Sequence, residues 1–287
     1  VSLNDSDVEA GLLTRVRLDV SYDGSAFSGW AVQPGLRTVQ GCLEEGLTTV
    51  LRGPASLTVA GRTDAGVHAS GQVAHLDVAA AVWDQEHARL VRRLAGVLPA
   101  DVRVHAATAV PPEFDARFSA LWRSYEYLID DSDGGPDPLR RASIAAWRRS
   151  LDTDRMAAAA EALVGLHDFA AFCKHRPNAT TIRTVQQFSV TRDGSLVALR
   201  VRADAFCHSM VRSLVGALAA VGEGRRPVQW PAGLLNRTER ANDVAVAPAE
   251  GLRLVAVGYP PPDALGSRAT QTRAVRTLPT AGEPTAE

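Results

Sequence analysis

One order of periodicities occurs twice along the chain, and it constrains the fold more than any single motif. RVRLDVSYD (15–23) alternates Val16, Leu18, Val20 and Tyr22 on one face, the pattern of a half-buried strand. TVQGCLEEGLTTVL (38–51) follows, with Val39, Leu43, Leu47 and Val50 at helical spacing. LTVAG and QVAHLDV then read as strands, WDQEHARLVRRLAGVL (83–98) as a helix and VRVHAATAV (102–110) as a strand. The second pass opens with a strand in RFSALWRSYEYLID (117–130) and a helix in TDRMAAAAEALVGL, capped by Asp152 or Thr153. A hairpin over 184–206 turns at Asp193-Gly194, and an apolar helix, SMVRSLVGALAAVG (209–222), leads to a last strand, GLRLVAVGY (251–259). Strand, helix, strand, strand, helix, strand, twice over, predicts an α+β protein of two ferredoxin-like halves, 14–115 and 116–263. Each half should carry an antiparallel sheet, with an active-site cleft between the two. Residues 1–13 are expected to form a flexible N-terminus, and 264–287, rich in Pro, Thr and Ala, a disordered tail.

Charge and motif content narrow the chemistry. A net charge of −1 gives no global attraction for a polyanion, so any nucleic-acid binding must come from a local patch. The basic residues are almost all arginine, and Lys174 is the sole lysine, the one candidate for a Schiff base or phosphate-loop role. No HExxH, paired CxxC, GxGxxG or GxSxG is present, so neither a metal nor a nucleotide cofactor is expected. The three cysteines, Cys42, Cys173 and Cys207, form no CxxC, and reduced thiols in the cytosol are the expectation. The opening VSLNDSDVEAGLL lacks a basic stretch before an apolar run, and no apolar run reaches membrane-spanning length.

The loop VAGRTDAGVHASG (59–71), between the two middle strands of the first half, is over-specified for a turn. It sets Arg62, Asp64 and His68 among three glycines, where an Asx-turn would need only the aspartate. Together with YDGSAFSGW, TVQGCLEEGL, FDARFSALWRSYEYLI, AFCHSMVRSLVGALAAVG and APAEGLRLVAVGYP, in that order over about 15–260, it resembles the tRNA pseudouridine synthase A family. AGRTDAGVHA is the most specific of these segments.

The resemblance implies isomerisation of uridines 38, 39 and 40 in the anticodon arm of tRNA to pseudouridine, by a cofactor-free cytoplasmic homodimer. It implies Asp64 as the catalytic carboxylate, Tyr125 as the ring on which the target base stacks, and Arg62 and Arg212 as basic residues of the substrate site. Ala31, Ser209 and Ser213 depart from the family pattern, which usually has glutamine, histidine and asparagine there. The chemistry suits such a loop. An aspartate could attack the sugar, attack C6 of the ring or assist loss of a ribose proton, and each role needs an ionised carboxylate shielded from water. A carboxylate in such a pocket needs a guanidinium beside it, which leads to the expectation of an Arg212–Asp64 ion pair across the two halves. Two other readings fit the element order: a non-catalytic module of the RRM type, which lacks its RNP1 pattern here, and a ferredoxin-like enzyme acting on a small molecule. Arg148, Arg149, Arg183, Arg192, Arg200 and Arg202 favour a polyanionic substrate over the latter.

Overall fold

The computed structural model describes residues 13–174 and 180–273. The first half runs β1 (Leu13–Tyr22), α1 (Val39–Leu51), β2 (Thr58–Val59), β3 (His68–Ala79), α2 (Ala80–Glu86), α3 (Leu90–Val97) and β4 (Val102–Val110). The second runs β5 (Trp122–Asp130), β6 (Ala145–Ala146), α4 (Thr153–Glu161), β7 (Gly165–Asp168), β8 (Ile182–Asp193), β9 (Leu196–Ala203), α5 (Met210–Gly222), α6 (Trp230–Gly233) and β10 (Leu252–Gly258). A last helix, α7 (Leu265–Arg273), follows. Local signals set several boundaries. Thr38 caps α1 through Gly41 N, Asp152 caps α4 through the amides of Asp154 and Arg155, and Gly194 takes φ 59° in the β8–β9 turn.

The strands form one sheet rather than the two expected, in the order β4-β1-β3-β10-β5-β9-β8-β7, with β2 added to β3 and β6 to β5. β10 closes the gap between the halves by pairing antiparallel with β5 and parallel with the start of β3, through Arg253–His68 and Leu254–Ala69. Two exposed strand edges are thereby satisfied by each other, which separate sheets would have left unpaired. Gly71 makes the seam possible: a Cβ there would lie 2.1 Å from the carbonyl oxygen of Val255.

α1, α3, α4 and α5 bury Leu43, Leu47, Leu90, Leu94, Met156 and nearly all of α5 against one face of the sheet, in a core shared with Val16, Leu18, Tyr127 and Ile129. The helix expected over 83–98 is two helices. α3 buries Leu90 and Leu94 while α2 only half-buries Val82 and Trp83 against the core, and at the break Glu86 pairs with Arg89 and Arg93.

The tail expected to be disordered from 264 begins instead with α7, which covers the opposite face. Leu265 is buried in a small cluster with Ala60, Val73, Phe114 and Ala116, and its carbonyl accepts a hydrogen bond from Ser119 Oγ. Pro, Thr and Ala composition concealed this because two apolar residues, Leu265 and Ala269, do the burying. Residues 1–12 of the expected flexible N-terminus and 274–287 of the tail lie outside the described residues. Leu265→Ala should therefore destabilise the protein by about 2–4 kcal/mol, the cost of emptying a buried leucine site. A urea midpoint indistinguishable from wild type would show that α7 does not dock.

Candidate active site

The AGRTDAG segment, Ala60–Gly66, is held by the chain on every side. Gln72 Nε2 donates to Gly61 O at 2.8 Å, Tyr22 OH shares a 2.8 Å hydrogen bond with Thr63 Oγ1, and Trp30 N donates to Thr63 O at 3.1 Å. Gly29, in YDGSAFSGW, has φ 92°, and a Cβ on it would approach Thr63 O to 2.9 Å, so that motif needs glycine where it backs onto the loop. His68 lies at the start of β3, where its Nδ1 accepts from Gly24 N at 3.0 Å, making it an anchor for the same junction. With its backbone so constrained, the loop presents Asp64 at a fixed point above the sheet.

Across from it stands the N-terminus of α5. Asp64 Oδ1 is 3.3 Å from His208 Nε2, and Asp64 Oδ2 is 3.5 Å from Ser209 Oγ and 4.0 Å from Arg212 Nη1. The expected Arg212–Asp64 pair is thus present as a loose contact, with His208 closer. Arg212 is the one residue of α5 that is not buried. Its Nε donates to Ala247 O at 2.7 Å and its own carbonyl accepts from Ala247 N at 3.0 Å, fixing the side chain beside the carboxylate. These bonds use only the backbone of Ala247, so they do not depend on the side chain at that position. Ser209, one of the family departures, immediately precedes α5 with φ 63°, a left-handed conformation costing about 1 kcal/mol for a residue with a Cβ. That backbone turns its hydroxyl to Asp64, so the position belongs to the site. Ser213 is buried within α5, and Ala31 packs against the core. The positive end of a 13-residue helix also favours a carboxylate at this place.

A cavity of about 470 Å³ opens between the two halves, on the helix side of the sheet. Arg62, Arg117, Arg123, Arg183 and Arg212 line it, together with Asp64, His208, Tyr125 and Phe206. Tyr125 forms its floor, 7% exposed, with its ring edge-on to Phe206 at 5.0 Å. Burial pushes its hydroxyl well above the ordinary tyrosine range, so it stays a neutral donor and acceptor. The same effect raises Tyr22 to about 12, which keeps its bond to Thr63 intact over any working pH. Arg62 sits exposed at the mouth.

Of the other arginines taken to favour a polyanion, Arg183 alone lines the cavity. Arg192 is bound to Asp131 at 2.7 Å, Arg200 to Glu126 at 2.8 Å, and Arg202 lies over the Trp122 ring. Arg149 is 4.0 Å from Glu223. Sequence reasoning missed His208, although it falls one helical turn before Arg212. It also missed Arg123, although Arg123 shares a strand face with Tyr125 two residues on. The structure further pairs Cys173 with Cys207 as a disulfide, Cα–Cα 5.7 Å, where reduced thiols were expected. No sequence spacing marks that pair, since 34 residues separate two cysteines that meet only in the fold. Among the described residues no group of three or more His, Cys, Asp or Glu side chains could hold a metal ion.

A single carboxylate in a cavity lined by five arginines suits an enzyme that acts on a polyanion through one reacting acid. Comparison with known proteins gives that class a definite place. The family model for tRNA pseudouridine synthase matches residues 20–119 and 159–260, which include Arg62, Asp64 and the His208–Arg212 segment. A tRNA pseudouridine synthase A from Frankia casuarinae is 59% identical over 271 residues, covering 93% of this chain and 97% of that protein. Those of Streptomyces griseus and Mycobacterium leprae are 54% and 50% identical, over 93% and 91% of this chain and 96% and 95% of theirs. A chain from the crystal structure of a Cbf5-Nop10-Gar1 complex is a remote match, at TM-score 0.33 and 13% identity over 72% of this chain and 54% of that one, too slight to bear on the fold. The protein belongs to the tRNA pseudouridine synthase family, and it is an enzyme, an isomerase.

A lysine at 212 offers one nitrogen where Ala247 O and Asp64 now receive separate ones. Arg212→Lys is expected to lower kcat by roughly 10²-fold, the usual cost of losing one electrostatic contact in an active site, with the thermal midpoint nearly unchanged. Full activity in the lysine variant would show that the two-pronged contact is dispensable.

Proposed function

We propose that the enzyme converts uridine to pseudouridine at positions 38, 39 and 40 of the anticodon arm of tRNA, with Asp64 as the catalytic carboxylate. The observation that carries this reading is the placement of Asp64 within 4.0 Å of both His208 and Arg212, beside a cavity floored by Tyr125. The reaction breaks the bond from N1 of the base to C1′ of the ribose, forms the bond from C5 to C1′, and moves the C5 proton to N1. A target nucleotide flipped into the cavity would lay its base on Tyr125, while Arg62 and Arg117 at the mouth take backbone phosphates. Asp64 then meets the sugar or the ring, with Arg212 and the end of α5 beside it. The neutral Tyr125 hydroxyl can accept or return a proton near C5 only as part of a hydrogen-bonded exchange, because burial disfavours the phenolate.

We read the two halves, 14–115 and 116–263, as ferredoxin-like units. The neighbour relations β4-β1-β3-β2 and β10-β5-β9-β8 support this, since they place the four principal strands of each half in the same order. The family resemblance further assigns a homodimer and the cytosol, where tRNA is found.

Asp64→Asn tests the reading directly. The amide is nearly isosteric but is neither a nucleophile nor a base, so release of tritium from tRNA labelled at uridine C5 should fall by more than about 10³-fold. Binding of tRNA should persist, and activity within about tenfold of wild type would remove Asp64 from the chemistry. tRNA affinity should also fall steeply between low and physiological salt, because the cavity arginines displace counterions from several phosphates. A flat salt response would point to a substrate other than a polyanion.

A further inference from the structure

We propose that Arg123 is a positioning residue for the reaction, a buried guanidinium that sets the distance between the Asp64 loop and the His208 loop. Arg123 lies on β5 two residues before Tyr125, on the same face, and is 6% exposed. Its Nε and one terminal nitrogen both donate to Ala60 O, at 3.2 and 2.8 Å. That terminal nitrogen also donates to Arg117 O at 2.5 Å, and the other donates to Asp204 O at 2.8 Å.

Two of the three acceptor residues, Ala60 and Arg117, line the cavity, and Asp204 adjoins the lining residue Ala205. Ala60 precedes Asp64 by four residues, and Asp204 precedes His208 by four. The rigid guanidinium fork therefore spans the two loops that bring Asp64, His208 and Ser209 together, one from each half of the chain.

The residue type is demanding. A buried cation is costly, and an apolar side chain would fill the same space more cheaply if packing were the only requirement. Arginine alone offers planar donors in directions fixed enough to hold carbonyls on opposite sides of one strand. Lysine retains the charge but concentrates its donors on a single nitrogen, so Ala60 and Asp204 would compete for it.

The proposal rests on Asp64 being the reacting carboxylate, and the variants separate the two. An active Asp64→Asn enzyme would sink the reading of Asp64. An inactive Asp64→Asn enzyme beside an unimpaired Arg123→Lys enzyme would sink only the clamp. The experiment measures kcat from C5 tritium release, tRNA affinity and the urea midpoint for wild type, Arg123→Lys and Leu94→Ala, the last being a destabilised core control on α3, outside the cavity lining. In Arg123→Lys, kcat should fall by roughly 10²-fold with tRNA affinity within about threefold, as a misplacement of about 1 Å in a reacting group produces. Amide exchange should quicken at 61–67 and 204–209 and not elsewhere, while Leu94→Ala keeps its kcat. A kcat within about threefold of wild type overturns the proposal, as does an equal loss of kcat in the control. If Arg123→Lys does not accumulate folded, Arg123→Gln carries the same expectations. Failure of both to fold would make Arg123 a folding residue and overturn the assignment.

Discussion

Two residue pairs, Arg253–His68 and Leu254–Ala69, join the halves, and the geometry of the site follows from them. Across that seam Tyr22, Ala69, Leu254 and Tyr125 form one continuous row on the helix side of the sheet. The row brings the residue that anchors the Asp64 loop, Tyr22, onto the same surface as the floor of the cavity, Tyr125. Because pairing fixes which face each side chain takes, a slip of one residue at the seam would send Tyr125 to the far side. The close passage of Gly71 under Val255 keeps that register tight.

Above the seam the two halves contribute unlike parts. The first supplies a loop whose backbone is over-determined by Gln72, Tyr22 and Trp30, so that Asp64 has little freedom left. The second supplies a helix end, with His208, Ser209 and Arg212 grouped on the first turn and the rest of α5 sunk in the core. A charged residue at the mouth of so apolar a helix is stable because Ala247 O accepts from its Nε and the Asp64 carboxylate stands 4.0 Å from its Nη1. This division explains why a neutral chain can present an arginine-rich cleft. Elsewhere, guanidinium groups such as those of Arg15, Arg37 and Arg192 are taken up by Asp77, Asp101 and Asp131. In the cavity Asp64 is the one carboxylate among the lining residues.

Much of this was legible in the sequence. Alternation and helical spacing set the paired order of elements, Asp152 and Asp193-Gly194 marked a helix start and a turn, and AGRTDAGVHA identified the loop. Those signals are local: each depends on side chains a few residues apart, whose identities are visible in a row. The tertiary structure decided the rest. One sheet instead of two depends on β10 finding the edge of β3, and main-chain pairing between strands so far apart leaves no residue signature. The docking of α7 depends on a pocket at Phe114 and Ala116 that exists only once the sheet is formed. Arg123 was invisible for the same reason, since its partners are carbonyls 63 and 81 residues away. Every residue has a carbonyl, so sequence can name a donor of this kind but only the fold can choose its acceptors.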